Sequence, residues 1–86
     1  MTGYLDVPPR RVAQVTLQPD GAILLIVHDG GIRAVTEQIP SKARASAQPI
    51  LERASAILER RGMRLARPWH KDPDAHFRFT AAWERG

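Results

Sequence analysis

The sequence contains no cysteine. That removes disulfide staples, thiolate nucleophiles and every sulfur-ligated zinc site, and with them the usual reason to place a small chain in an oxidising compartment. Long apolar runs are missing as well. The longest, Ala22 to Val27, falls far short of the about 20 residues a membrane span needs, so it reads as a strand. The start, Met1 to Pro9, has no basic stretch followed by an apolar one, as a secretory leader would have. There is no internal repeat and no low-complexity segment. A chain of 86 residues supports one modest core, since at this size only about two-thirds of the unfolded surface is buried. These absences set the expectation of one cytoplasmic domain outside any membrane.

Acidic residues are in deficit, Asp+Glu 9 against Lys+Arg 13, for a formal net charge of +4. The sign favours acidic partners such as phosphate backbones through long-range attraction. Most of the basic residues are Arg, whose planar donor fork suits phosphate and base edges, although a GC-rich coding bias gives the same skew.

Residues 1–10, with Pro8 and Pro9, read as an extended arm, and residues 11–86 as a single domain. From Val12 to Leu17 apolar and polar residues alternate with the two-residue period of a half-buried strand. Pro19-Asp20-Gly21 supplies a turn. The next strand, Ala22 to His28, is apolar on both sides, with Ile23, Leu25 and Val27 on one and Leu24 and Ile26 on the other, and is expected to be central. Asp29-Gly30-Gly31 supplies a second turn. Ile32 to Ile39 then alternates again, placing Arg33, Val35, Glu37 and Ile39 on one side.

After Pro40, the residues Ala43, Ala47, Ile50, Leu51, Ala54, Ile57 and Leu58 recur at helical spacing. Pro49 falls within this stripe. Because the stripe keeps its phase across it, the sequence favours a first turn capped by Ser41 that bends at the proline. The alternative starts the helix after Ser46, where the missing N–H of a first-turn proline costs nothing. Gly62 is expected to end the helix in the left-handed conformation. Met63 to Trp69 and Phe77 to Trp83 read as two more strands joined by the polar connector Lys71 to Ala75.

The order is thus β-β-β-α-β-β: an α+β fold, in two layers, with an antiparallel sheet of four or five strands and one long helix across one face. The expected core comprises Val15, Leu17, Ile23, Leu25, Val27, Ile50, Ala54, Ile57, Leu58, Leu65, Phe77 and Phe79.

The most informative stretch for function is Arg60 to Lys71. It carries Arg60, Arg61, Arg64, Arg67 and Lys71 with Trp69 and no acid, a mixture suited to phosphate contacts with one stacking ring. The plain structural account is that Arg60 and Arg61 complement the helix dipole, Arg64 pairs with an acid and Trp69 packs in the core. Arg10-Arg11 is either an addition to such a patch or a solvated hinge. Pro8-Pro9-Arg10-Arg11 is also a minimal polyproline ligand. A helix-turn-helix needs a second helix, for which there is no room.

His70, Asp72, Asp74 and His76 have metal-ligand chemistry but match no ligand spacing, and a polar loop is the ordinary expectation. Ser41, Ser46 and Ser55 lie on or beside the helix, without the sharp strand-to-helix turn of a nucleophile. Glu52 and Glu59, seven apart on the helix, read as solvent-facing rather than as an acid/base pair.

The sequence therefore points to a small binding module that is not an enzyme and needs neither cofactor nor metal. One reading has it contact nucleic acid through Arg60 to Lys71. The other has it associate with a protein partner, or with itself as a homodimer, through the open sheet face at Leu24 and Ile26.

Overall fold

A computed structural model describes residues 11–40 and 46–86. The N-terminal arm with Arg10, the Ser41 cap and Ala43 of the apolar stripe lie outside the described residues. Three strands, β1 (Arg11–Leu17), β2 (Ile23–Asp29) and β3 (Ile32–Gln38), precede the helix α1 (Ala47–Arg60). Three more follow it: β4 (Met63–Leu65), β5 (His70–Lys71) and β6 (Arg78–Arg85). The architecture is α+β, with one antiparallel sheet in the order β3-β2-β1-β6-β4 and β5 also paired to β6.

The two meander turns are set by local chemistry. The Asp20 carboxylate accepts the Ala22 N–H at 2.9 Å, closing an Asx turn, while Gln18 N–H donates to the Ala22 carbonyl at 2.7 Å. At Gly30 and Gly31 the φ angles are 64° and 89°. A two-residue hairpin turn with both central residues at positive φ matches the right-handed twist of its strands, and only glycine enters it without strain.

The second half departs from the expected pair of strands. Leu65 is opposite Trp83, and Ala66 N–H still donates to the Ala82 carbonyl at 2.8 Å. His70 is then opposite Thr80. Four residues thus elapse from Ala66 to His70 while β6 advances by two, so β4 and β5 are one edge strand interrupted at Arg67-Pro68. Proline has no N–H to give to the ladder, which is why the break falls there.

The bend at Pro49 is not found. Ser46 has extended backbone (φ −70°, ψ 162°) and is the N-cap, so Pro49 is the third residue of the helix. Its missing N–H coincides with one of the four first-turn donors that have no helical partner in any case. The Ser46 side chain makes no capping hydrogen bond. At the other end, Gly62 takes φ 78° and donates to the Glu59 carbonyl at 3.1 Å, closing the helix in the expected way.

One helix face and one sheet face form the core. Ile50, Ala54, Ile57 and Leu58 pack on Ala13, Val15, Ile23, Leu25, Val27, Ile39, Met63 and Trp83. Each fully buried Ile or Leu side chain contributes about 1.5–3 kcal/mol. Ala13, Ile39, Met63 and Trp83 thus join the expected core. Leu65, Phe77 and Phe79 are only half-buried, and Leu17, near the end of the sheet, is 41% exposed. Trp83 is 3% exposed and donates its indole N–H to the His28 carbonyl at 3.1 Å. The guanidinium carbons of Arg11 and Arg85 lie 5.4 and 5.7 Å from its ring centroid, and both side chains reach the Asp29 carboxylate.

A register shift between Val27 and His28 corrects the expected facing of β3. His28 opposes Arg33, so Arg33 joins the far face of the sheet, while Val35 and Glu37 stay on the helix side.

The position of Pro49 gives a clear stability test. Pro49→Ala is expected to change stability by less than about 1 kcal/mol, whereas Ala56→Pro, in the helix interior, is expected to cost about 3 kcal/mol or more. Urea unfolding midpoints of the two variants measure the difference.

Candidate functional site

The segment 60–71 wraps from the end of α1 along the β4–β5 edge, and most of its polar groups are already engaged. Arg61 donates to Glu37 at 2.9 Å and Arg64 to Glu84 at 2.7 Å. Lys71 spans its loop, donating to the carbonyls of Ala75 at 3.0 Å and Asp72 at 3.4 Å. Trp69 is half-buried against the core, and its indole N–H donates to the Ser55 hydroxyl on α1 at 3.0 Å. Arg60 and Arg67 are exposed and make no ion pair or hydrogen bond among the described residues. The six side chains do not gather on one surface: Arg60 and Arg61 lie beside Glu37 on the β3 flank, Arg64 pairs with Glu84 on the sheet face away from the helix, and the indole N–H of Trp69 is turned toward the helix.

The helix divides its charges between two flanks. On the β4–β5 side a groove of about 440 Å³ runs between α1 and the edge strand. Leu51, Leu65, Pro68 and Trp69 supply apolar walls, and Glu52 and Glu59 stand on the helical lip, with no basic residue in the lining among the described residues. On the β3 side a second groove, of about 450 Å³, is bordered by Arg53 and Arg60 with Ile39, Pro40 and Ile57. Arg53 donates to the Pro40 carbonyl at 3.0 Å. Gln48, Glu52, Ser55 and Glu59 recur at spacings of four, three and four, so they form one stripe. That recurrence was present in the sequence as a polar stripe beside the apolar one, but the wall opposite it comes from a different element.

The other candidate surface is the sheet face away from the helix. Register alone places there His28 of β2 and His70 of β5 toward the rim, and nine positions between them: Val12, Gln14 and Thr16 of β1, Leu24 and Ile26 of β2, Thr36 and Gln38 of β3, and Thr80 and Ala82 of β6. None of these nine carries a charge. Arg33 and Arg78 lie at its rim, and Arg64 and Glu84 pair beyond it. Leu24 is half-buried, but Ile26 is only 8% exposed, on an interior strand with Gln14 and Thr36 on either side. The apolar area offered by Leu24 and Ile26 is therefore smaller than strand alternation suggests.

The loop after β5 is organised by Asp72. Among the described residues no three His, Asp or Glu side chains are grouped so as to hold a metal ion. The Asp72 carboxyl is held below its ordinary value of 3.8, first by the backbone N–H of Asp74 at 2.9 Å. Desolvation opposes this, and the Arg78 guanidinium at 3.1 Å and the charge of Lys71 reinforce it. A depressed carboxyl contributes stability that is present above its unfolded value and lost as pH falls through the folded one. Arg78→Ala is expected to move the Asp72 titration midpoint up toward 3.8, read from its side-chain carboxyl resonance by NMR. An unmoved midpoint would leave the Asp74 N–H and the charge of Lys71 as the causes.

No helix among the described residues is long and apolar enough to cross a membrane. No protein-family model, curated protein or solved structure matches the chain.

Proposed function

We propose that this protein is a non-enzymatic interaction module that associates through the sheet face opposite α1, with a second copy of itself as its simplest partner. The observation that carries this reading is the lack of charge at the nine central positions of that face, in a chain that is 26% charged. Depletion of charge at the centre with cations at the rim is the pattern of protein–protein interfaces. No other described element of the chain covers this face, and the flat array of Thr and Gln around Leu24 and Ile26 offers hydrogen-bonding groups beside apolar ones. Association there resists salt, since its centre holds no ion pair.

Because Ile26 is buried, the test places charge beside it rather than on it. Gln14→Lys with Thr36→Lys is expected to keep the fold and abolish self-association, as followed by light scattering across protein concentration. A chain that stays monomeric at millimolar concentration, or a dimer indifferent to the substitutions, overturns the reading.

Contact with nucleic acid through the basic segment is the second reading, favoured by the exposed and unengaged Arg60 and Arg67. Two phosphate contacts correspond to a slope of log affinity on log salt of about −1.4 to −1.8, against about −3 or steeper for the four or five contacts the segment would make if every cation were available. Titrating short oligonucleotides at several salt concentrations distinguishes these values. A slope unchanged by Arg60→Ala with Arg67→Ala removes the segment from consideration.

A further inference from the structure

The groove between α1 and the interrupted edge strand belongs to neither of these readings. It is walled by Leu51, Leu65, Pro68 and Trp69, and its lip carries Glu52 and Glu59. In a chain of net charge +4, the described lining of this groove carries two carboxylates and no cation. Phosphate is repelled from it, and a cation beside an apolar side chain is drawn to it. Trp69 adds a second source of attraction, since the face of an indole ring binds cations as well as apolar groups.

We propose that this groove is a docking site for an extended basic segment of a partner protein, one in which two Lys or Arg residues three positions apart bracket an apolar side chain. Size selects an extended segment. A volume of about 440 Å³ holds a few side chains, whereas a helix with its side chains is about 10 Å or more across. Spacing selects the cations. Glu52 and Glu59, seven residues apart on α1, are separated by about 10.5 Å along the helix axis. A polyproline II segment repeats every three residues with a rise of about 3.1 Å per residue, so residues i and i+3 face the same way about 9 Å apart. Two cations of such a segment meet the two carboxylates while the side chain between them rests on Trp69. Aromatic-lined grooves receive this conformation at little entropic cost, because it is already extended when free.

The groove and the uncharged sheet face lie on opposite sides of the sheet, so the two proposals fail separately. The probe is a capped hexapeptide, Pro-Lys-Leu-Pro-Lys-Pro, with a control in which both Lys are replaced by Glu. Two-dimensional NMR resolves the indole N–H of Trp69, in the groove, from that of Trp83, which is buried and reports on the fold. Addition of millimolar basic peptide at low salt is expected to shift the Trp69 signal saturably and leave Trp83 in place, with no response to the control. Glu52→Gln with Glu59→Gln is expected to weaken binding about three- to thirtyfold, as the loss of two exposed charge pairs implies. The Gln14→Lys, Thr36→Lys variant is expected to bind the peptide normally. An unmoved Trp69 signal, an equal response to the acidic control, or unchanged affinity in the Gln variant overturns the proposal.

Discussion

A single helix has to cover one face of a sheet five strands wide. β3 and β4 lie at opposite edges, so the chain between them crosses the sheet, and α1 packs within that crossing. A helix is about 10 Å across with its side chains, and strands are about 4.8 Å apart, so one helix shelters only the middle of such a sheet. Most of the remaining architecture follows from this mismatch. The centre is closed by Leu25, Val27, Ile50, Ala54 and Leu58, all nearly or fully buried. The flanks remain as two grooves, and among the described residues the far face carries no helix.

Each flank is finished differently. On the β4–β5 side the sheet lifts Trp69 and Leu65 toward the helix, and the Trp69–Ser55 hydrogen bond ties the edge strand to α1. On the β3 side the closure is polar, through the Arg61–Glu37 ion pair and the hydrogen bond from Arg53 to the Pro40 carbonyl. Exposed ion pairs of this kind contribute about 0–1 kcal/mol each. Their larger effect is on the field. Arg11, Arg61, Arg64, Arg78 and Arg85 all have a carboxylate partner, so the basic balance read from composition does not translate into a basic patch of the same strength. What remains segregated is the helix itself, acidic toward Trp69 and basic toward β3.

The elements legible in the sequence were those written in local chemistry. Alternation in Arg11–Leu17, the turn at Asp20-Gly21, the glycine pair after Asp29 and the stop at Gly62 each follow from residues adjacent in the chain. The parts that were not legible depend on distant partners. Pro49 suits both a kink and a first turn, and only the extended backbone of Ser46 separates them. The bulge that turns Arg33 away from Glu37 depends on where β2 pairs, which no pattern inside β3 records. Trp83 and Ile39 become core residues because of what lies across the sheet from them, while Leu17 is exposed because its row is at the sheet's end. The same limit applies to function: Arg60, Arg61, Arg64, Arg67, Trp69 and Lys71 are neighbours in sequence, yet four of them have their polar groups committed within the fold.

The two sheet edges bear on where association can occur. An edge strand with a regular row of free N–H and carbonyl groups invites pairing with another chain. Here both edges are irregular. β3 carries the bulge opposite Val27 and His28, which twists its outer ladder, and it presents Arg33 and Glu37. The other edge is broken by Arg67-Pro68 into segments of three and two residues, too short to template a strand. Strand addition at either edge is therefore disfavoured by the backbone itself. The surfaces left without such protection are the uncharged face and the helix flanks, which present side chains rather than a row of unpaired backbone groups.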